Sequence, residues 1–240
     1  MGAAGKRQNA GAMTVSAAKT AVALPLLTLL SAAVAILALS QPAQLPPALG
    51  FVFKPLTTVL ILLHAWHRGA SEPRLARWLR AGLAWSLAGD IALLWPEAGF
   101  LPGLISFLIA HVCYIAGFCT RQRLGAVRWP FLMFGVIAAA VLGRLWPSIP
   151  GALQGPVVVY VVCLAAMAAQ AWAWWRRSVG HADEPLARWA AWGGTLFVLS
   201  DAMLAINKFA GPLDMASFWV LASYWPAQWC IASSLGRSRA

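Results

Sequence analysis

Hydrophobic positions along this chain fall into long blocks, and the polar positions gather in the short breaks between them. Eight blocks stand out, over 21–39, 55–66, 79–95, 100–118, 129–146, 155–175, 189–207 and 217–235. A run near 20 apolar residues is long enough to cross the hydrocarbon core of a bilayer as a helix. None of the blocks alternates polar and apolar with period two, so a strand-built barrel does not fit. The pattern predicts an all-α integral membrane protein with eight transmembrane helices. Residues 1–240 form a single transmembrane domain in this reading, preceded within it by a tail at 1–20. The first block has a basic flank, but its apolar run exceeds a signal-peptide core, so it is read as a retained helix.

Composition agrees. The chain is 61% hydrophobic and only 10% charged, where a soluble domain carries about a quarter charged residues. The net charge of +11 would suit nucleic acid if it were clustered, but its placement points to the membrane. Lys6, Arg7 and Lys19 precede the first block. Arg68, Arg74, Arg77 and Arg80 lie in or beside the second break, Arg121, Arg123 and Arg128 in the fourth, Arg176, Arg177 and Arg188 around the sixth, and Arg237 and Arg239 at the end. The opposite side has only Lys54, Arg144 and Lys208. This alternation is the positive-inside bias, and it puts both termini and the 1–20 tail in the cytoplasm. No nucleic-acid partner is expected. Cys113, Cys119, Cys163 and Cys230 lie in or at the ends of blocks without metal-binding spacing, and read as small packing residues.

Two breaks begin alike, with EPRLARW at 72–78 and DEPLARW at 183–189. Carried forward without a gap, the same offset pairs Gly82 with Gly193, Asp90 with Asp201, Ser106 and Phe107 with Ser217 and Phe218, and Cys119 with Cys230. One reading is two parallel four-helix repeats, 20–124 and 129–236, related by an axis along the membrane normal. It expects Asp90 and Asp201 to face each other near that axis. The other reading is convergent loop chemistry, with proline opening a helix and Arg and Trp at the interface.

Asp90 sits inside the apolar stretch LAGDIALLW, and Asp201 inside LSDAML. At 1.5 Å per residue, Asp90 is about 15 Å above Arg80, Asp201 about 20 Å above Arg188, and His111 about 16 Å from the start of its block at Phe100. An ionised carboxylate at that depth costs several kcal/mol unless it is paired or faces water. It is therefore either protonated or part of a polar cavity, and both describe a site. Ser86 and Asp90 share a helix face, as do His111 with Tyr114 and Tyr224 with Gln228. Lys208 lies two turns beyond Asp201, and Lys54 opens the second block at the same surface. These side chains are expected to converge in one cavity roofed by the two lysines. Each also has a plainer reading. Ser86 and Ser200 can bond a backbone carbonyl, Tyr224 and Gln228 can join helices, His111 can be a packing residue, and the lysines can reach for headgroups. Trp66, Trp78, Trp129, Trp146, Trp175 and Trp189 mark span ends as an interfacial belt.

The stretches FKPLTT (53–58), GDIALL (89–94), GLISFLIAHVCYIAGF (103–118), LFVLSDAMLAINKF (196–209) and SYWPAQ (223–228) resemble, in this order, the YhhN-like lysoplasmalogenase family. The resemblance implies an eight-span membrane enzyme, placed here in a bacterial inner membrane. Its reaction would hydrolyse the vinyl ether of a lysoplasmalogen to a fatty aldehyde and glycerophosphoethanolamine or glycerophosphocholine. It carries over Lys54, Gly89, Asp90, His111, Tyr114, Ser200, Asp201, Tyr224 and Gln228. Pro226 departs from the motif, and a kink is expected between Tyr224 and Gln228.

Vinyl ether hydrolysis needs a proton donor, a group that steadies an oxocarbenium ion, and a water. Two neighbouring carboxyls can divide the first two roles. Asp90, Asp201 and His111 are thus the candidate catalytic residues. Lys54, Tyr114, Ser200, Lys208, Tyr224 and Gln228 are the candidate substrate-binding residues, with a lysophospholipid as substrate and membrane lipids around it. No metal or other cofactor is expected. The competing reading is a lipid or small-molecule transporter with a proton-linked pair of intramembrane aspartates.

Overall fold

The computed structural model describes residues 23–41, 43–95 and 97–236. The 1–20 tail, with Lys6, Arg7 and Lys19, and the terminal Arg237 and Arg239 lie outside the described residues. Eight α-helices make up the described chain, and it contains no β-strand. They are α1 (Ala23–Ser40), α2 (Ala48–Trp66), α3 (Pro73–Ala92), α4 (Phe100–Cys119), α5 (Trp129–Leu145), α6 (Gly151–Ser178), α7 (Glu184–Ala205) and α8 (Ala216–Ser233). A 3-10 turn, Trp146–Ser148, follows α5, and α7 runs on into a π-helical turn, Ile206–Ala210.

Among the described residues, six helices are long and apolar enough to cross a membrane: α1, α2, α4, α5 with its 3-10 turn, α6, and α7 with its π turn. The chain is a multi-pass integral membrane protein. The two helices that fall short, α3 and α8, both turn polar side chains into the bundle. α3 has Ser86 and Asp90 inside, and α8 has Ser223, Tyr224 and Gln228. A helix enclosed by other helices is not required to be apolar on every face.

The second block does not open at Pro55. α2 begins at Ala48, and Pro55 stands inside it. Lys54 is therefore two turns into the helix and only 8% exposed, which corrects its placement at the surface. The start lies upstream because Pro46 and Pro47 come just before Ala48, and a proline fits a helix entrance without loss of a hydrogen bond. Trp175 also departs from the belt. Its ring is turned in against Trp172, 4.9 Å away between centroids, whereas Trp66, Trp78, Trp129, Trp146 and Trp189 are exposed.

The helices pack in matching pairs. α3 lies against α4 as α7 lies against α8, α2 against α3 as α6 against α7, and α4 against α6 as α8 against α2. α5 rests on α6, and α1 is tied to α2 by the Ser31 hydroxyl, 2.8 Å from the Thr57 hydroxyl. Glycine permits the closest of these approaches. A Cβ at Gly82 on α3 would lie 2.3 Å from the Tyr114 ring on α4, and one at Gly193 on α7 would lie 2.7 Å from Ile231 on α8.

Arginines bind the ends together. Arg80 donates to the carbonyls of Ala65, Trp66 and Arg68, which satisfies the last turn of α2. Arg68 donates to the carbonyls of Ser233 and Leu235 at the end of α8. Arg121 joins Glu72 and Asp183, the opening carboxylates of the two like-worded breaks. The side chain of Gln170, buried within α6, donates to the Gln122 carbonyl at 2.7 Å and holds the loop after α4 against the bundle.

Candidate active site

Asp90 is 2% exposed, on the inner face of α3. Its Oδ2 accepts two hydroxyl donors, Thr58 of α2 at 2.6 Å and Tyr224 of α8 at 2.8 Å. Lys54, one turn before Thr58, is the cation whose field reaches it. The network continues through neighbours. Trp225 Nε1 donates to the Thr58 hydroxyl at 3.3 Å, Gln228 Nε2 donates to the Tyr224 hydroxyl at 3.1 Å, and the Tyr114 hydroxyl donates to Gln228 Oε1 at 2.7 Å. Ser86 Oγ lies 3.3 Å from the same Tyr114 hydroxyl. Buried polar groups that satisfy one another in this way hold a single arrangement, because breaking one strands the rest.

Asp201 is built differently. It is half-buried, near the end of α7, and accepts one hydroxyl donor, Tyr160 of α6. Its neighbour Ser200 donates to the Val220 carbonyl at 3.0 Å, so that hydroxyl serves to join α7 to α8. His111 is fully buried on α4. Its ring packs against Phe197 at 4.7 Å and Tyr160 at 5.3 Å between centroids. Neither ring nitrogen has a hydrogen-bond partner among the described residues.

One cavity of about 260 Å³ is lined by Lys54, Asp90, Ser200, Asp201, Lys208 and Tyr224, with Asn207, Ser217 and apolar side chains completing its wall. The two aspartates thus line a common space, with Lys54 and Lys208 on its walls. Lys208 is exposed, and its ammonium lies 5.0 Å from the Phe100 ring centre. Tyr114, His111 and Gln228 are not on that wall. Tyr114 and Gln228 support it from behind through Tyr224. Pro226 leaves the Tyr224–Gln228 contact intact, because both side chains project to the interior across one turn.

Sequence reasoning passed over Thr58 and Tyr160. Thr58 was present in the FKPLTT stretch. Tyr160 had a signal in its rarity: the chain has three tyrosines, Tyr114 and Tyr224 in the network around Asp90 and Tyr160 on Asp201. Among the described residues, no group of three or more His, Cys, Asp or Glu could hold a metal ion.

The YhhN family model matches residues 49–235, a span that includes every site side chain described above. Lysoplasmalogenase TMEM86B of Sus scrofa is 34% identical over 203 residues, covering 82% of this chain and 80% of its own. Lysoplasmalogenase TMEM86A of Homo sapiens is 32% identical, covering 75% of this chain and 74% of its own. A lysoplasmalogenase of Mycobacterium bovis is 32% identical, covering 71% of this chain and 62% of its own. No solved structure gives a significant match. The resemblance read from five short stretches thus extends over most of the helical bundle, and the chain belongs to the YhhN family.

Proposed function

We propose that this protein is a lysoplasmalogenase, a membrane enzyme that hydrolyses the vinyl ether of a lysophospholipid to a fatty aldehyde and a glycerophospho-base. The observation that carries the reading is the single cavity shared by two intramembrane aspartates in different settings. Relatives named for this activity support it.

Asp201, with one hydroxyl donor, gives a proton to the β carbon of the vinyl ether. The product is an oxocarbenium ion at the carbon that bears oxygen. Asp90, held by two hydroxyl donors and facing Lys54, is the ionised partner. It steadies the cation and accepts a proton from the water that adds to it. The resulting hemiacetal then collapses. Its hydroxyl proton passes to the Asp201 carboxylate, the glycerol oxygen takes the proton held by Asp90, and the C–O bond breaks to release aldehyde and alcohol with both carboxyls restored. One water is consumed. Tyr224 orients the water and substrate from the cavity wall, Ser200 offers them only a lone pair because its proton is given to the Val220 carbonyl, and Tyr114 and Gln228 hold Tyr224. Lys54 and Lys208 bind the phosphate, and the His111 imidazole lies behind Tyr160 as a second base. Electrostatic preorganisation of this kind is commonly the largest part of catalysis.

All eight helices span the membrane in this reading, with the 1–20 tail and both termini in the cytoplasm. The single domain, 1–240, consists of two parallel repeats, 20–124 and 129–236, and the expected location is a bacterial inner membrane. The matched helix pairings and the shared Arg121 clamp support the repeat.

The test is aldehyde release from lysoplasmenyl-ethanolamine by purified protein, beside Asp90→Asn and Asp201→Asn. The wild type is expected to turn over, and each folded variant to lose at least ~10²-fold, the usual worth of a proton-transferring group. A wild type inactive on intact lipid would reject the reading. Turnover in detergent would also exclude transport as the sole role.

A further inference from the structure

Beside the polar cavity lies a second pocket of about 90 Å³, narrow and almost wholly apolar. Phe134, Ile137 and Val141 of α5 face Val157 and Leu164 of α6 across it. Phe107, Leu93, Leu204 and Asp201 form the wall it shares with the polar cavity, and Asp201 is the one carboxyl that lines both spaces among the described residues. Gly89 lets Phe107 of that wall pack close against α3. A Cβ there would lie 2.6 Å from the Phe107 ring, and Phe107 lines the polar cavity together with Asp90.

α5 is the least enclosed of the helices from α2 onward, with only Pro130, Phe134 and Leu145 buried. It rests on α6 and meets the α7 side of the bundle at the π turn. α5 packs little against α7 itself. Ile137, 41% exposed, is at the edge of the resulting seam. The pocket therefore joins Asp201 on one side to the lipid-facing surface on the other. Its α6 wall, from Val157 to Ala165, covers about 12 Å at 1.5 Å per residue.

We infer that this seam between α5 and α7 binds the alkenyl chain of the substrate and admits it from the bilayer, with Ala138 and Ala165 setting how much chain fits. The inference rests on the lysoplasmalogenase reading and deepens it. A lysoplasmalogen is polar at one end and a single unbranched chain at the other. The two spaces match those ends: one lined with lysines and carboxyls, the other with apolar side chains and no cation. With the phosphate toward Lys54 and Lys208 and the chain in the seam, the vinyl ether has to pass the shared wall. The β carbon, on the chain side of the ether oxygen, then lies next to Asp201. A chain longer than the pocket continues through the seam into lipid, where it costs nothing to leave.

Two measurements test this. The first compares decenyl and octadecenyl lysoplasmenyl-ethanolamine as substrates of the wild type, Ala138→Trp and Ala165→Phe. Both variants are expected to lower the octadecenyl-to-decenyl ratio of kcat/KM on the order of ten-fold, the discrimination that a crowded apolar pocket supplies. An unchanged ratio in folded, active variants overturns the inference. The second uses wild-type protein and a saturated alkyl-ether lysophosphatidylethanolamine with a diazirine near the chain end, which the reaction cannot cleave. Label is expected on residues 134–141 or 157–165. Label confined to the apolar groove between α1 and α8, lined by Ala32, Ile36 and Trp225, would also overturn it. Labelled α5 or α6 without any turnover keeps the subsite and rejects the reaction, whereas turnover with label elsewhere does the reverse.

Discussion

The two aspartates occupy matching positions in sequence and unlike positions in chemistry. Asp90 is wrapped by Thr58, Tyr224 and the field of Lys54, each from a different helix or turn. Asp201 has Tyr160 and an open side toward two spaces. Two carboxyls so arranged can differ in protonation at the same pH, which is what an acid paired with a carboxylate requires. Tyr160 is a positioning residue, since it touches Asp201 and lies on the apolar wall. Tyr160→Phe removes the hydroxyl and keeps the ring, so the Asp201 carboxyl loses its anchor. The expected outcome is a kcat lower by about 10²-fold, as for a misaimed reacting group, with KM nearly unchanged and unfolding temperature within a few degrees of wild type. A variant with wild-type kcat would remove Tyr160 from the mechanism.

At the scale of helices, glycine spacing decides how closely α3 meets α4. Tyr114 fills the space that a Gly82 side chain would need, with its Cε1 atom 2.3 Å from the ideal Cβ. Tyr114 cannot swing away cheaply, because it is fully buried and donates to Gln228. Gly82→Ala is expected to cost about 1–3 kcal/mol by overpacking and to disturb the Tyr114–Gln228–Tyr224 chain that aims at Asp90. A lower unfolding temperature together with lower kcat is the expected pair of readings. Gly155→Ala is the control. No atom lies within 4 Å of its added Cβ, so both readings should stay at wild type. Equal behaviour of the two variants would mean that the close contact has no effect on the site.

For the molecule as a whole, the arginines do two things at once. In the proposed topology their distribution marks one side of the membrane, and Arg68, Arg80 and Arg121 tie helix ends together. The pairing of α3–α4 with α7–α8, and of α2 with α6, is what a parallel repeat would produce. The proposed topology puts Arg123 in the cytoplasm and Lys208 on the opposite face. Single cysteines at these two positions, with the four native cysteines replaced, should react with an impermeant maleimide from opposite sides of sealed vesicles. Labelling of both from the same side would reject the eight-span arrangement.

Much of this protein was legible in its sequence. Long apolar blocks demand burial in lipid whatever their neighbours, so helix number and the membrane class follow from local pattern alone. A carboxyl in such a block is costly anywhere, so Asp90 and Asp201 could be picked out before any contact was known. What the tertiary structure decided depends on residues far apart in the chain. Thr58 and Tyr224 meet at Asp90 across 32 and 134 residues, and no local period encodes that meeting. Pro55 alone suggests a helix start with Lys54 at its end, whereas the prolines at 46 and 47 open α2 upstream and carry Lys54 inside. Tyr160 and the α5–α7 seam emerged only with packing, since an apolar helix facing a pocket and one facing lipid are written in the same residues.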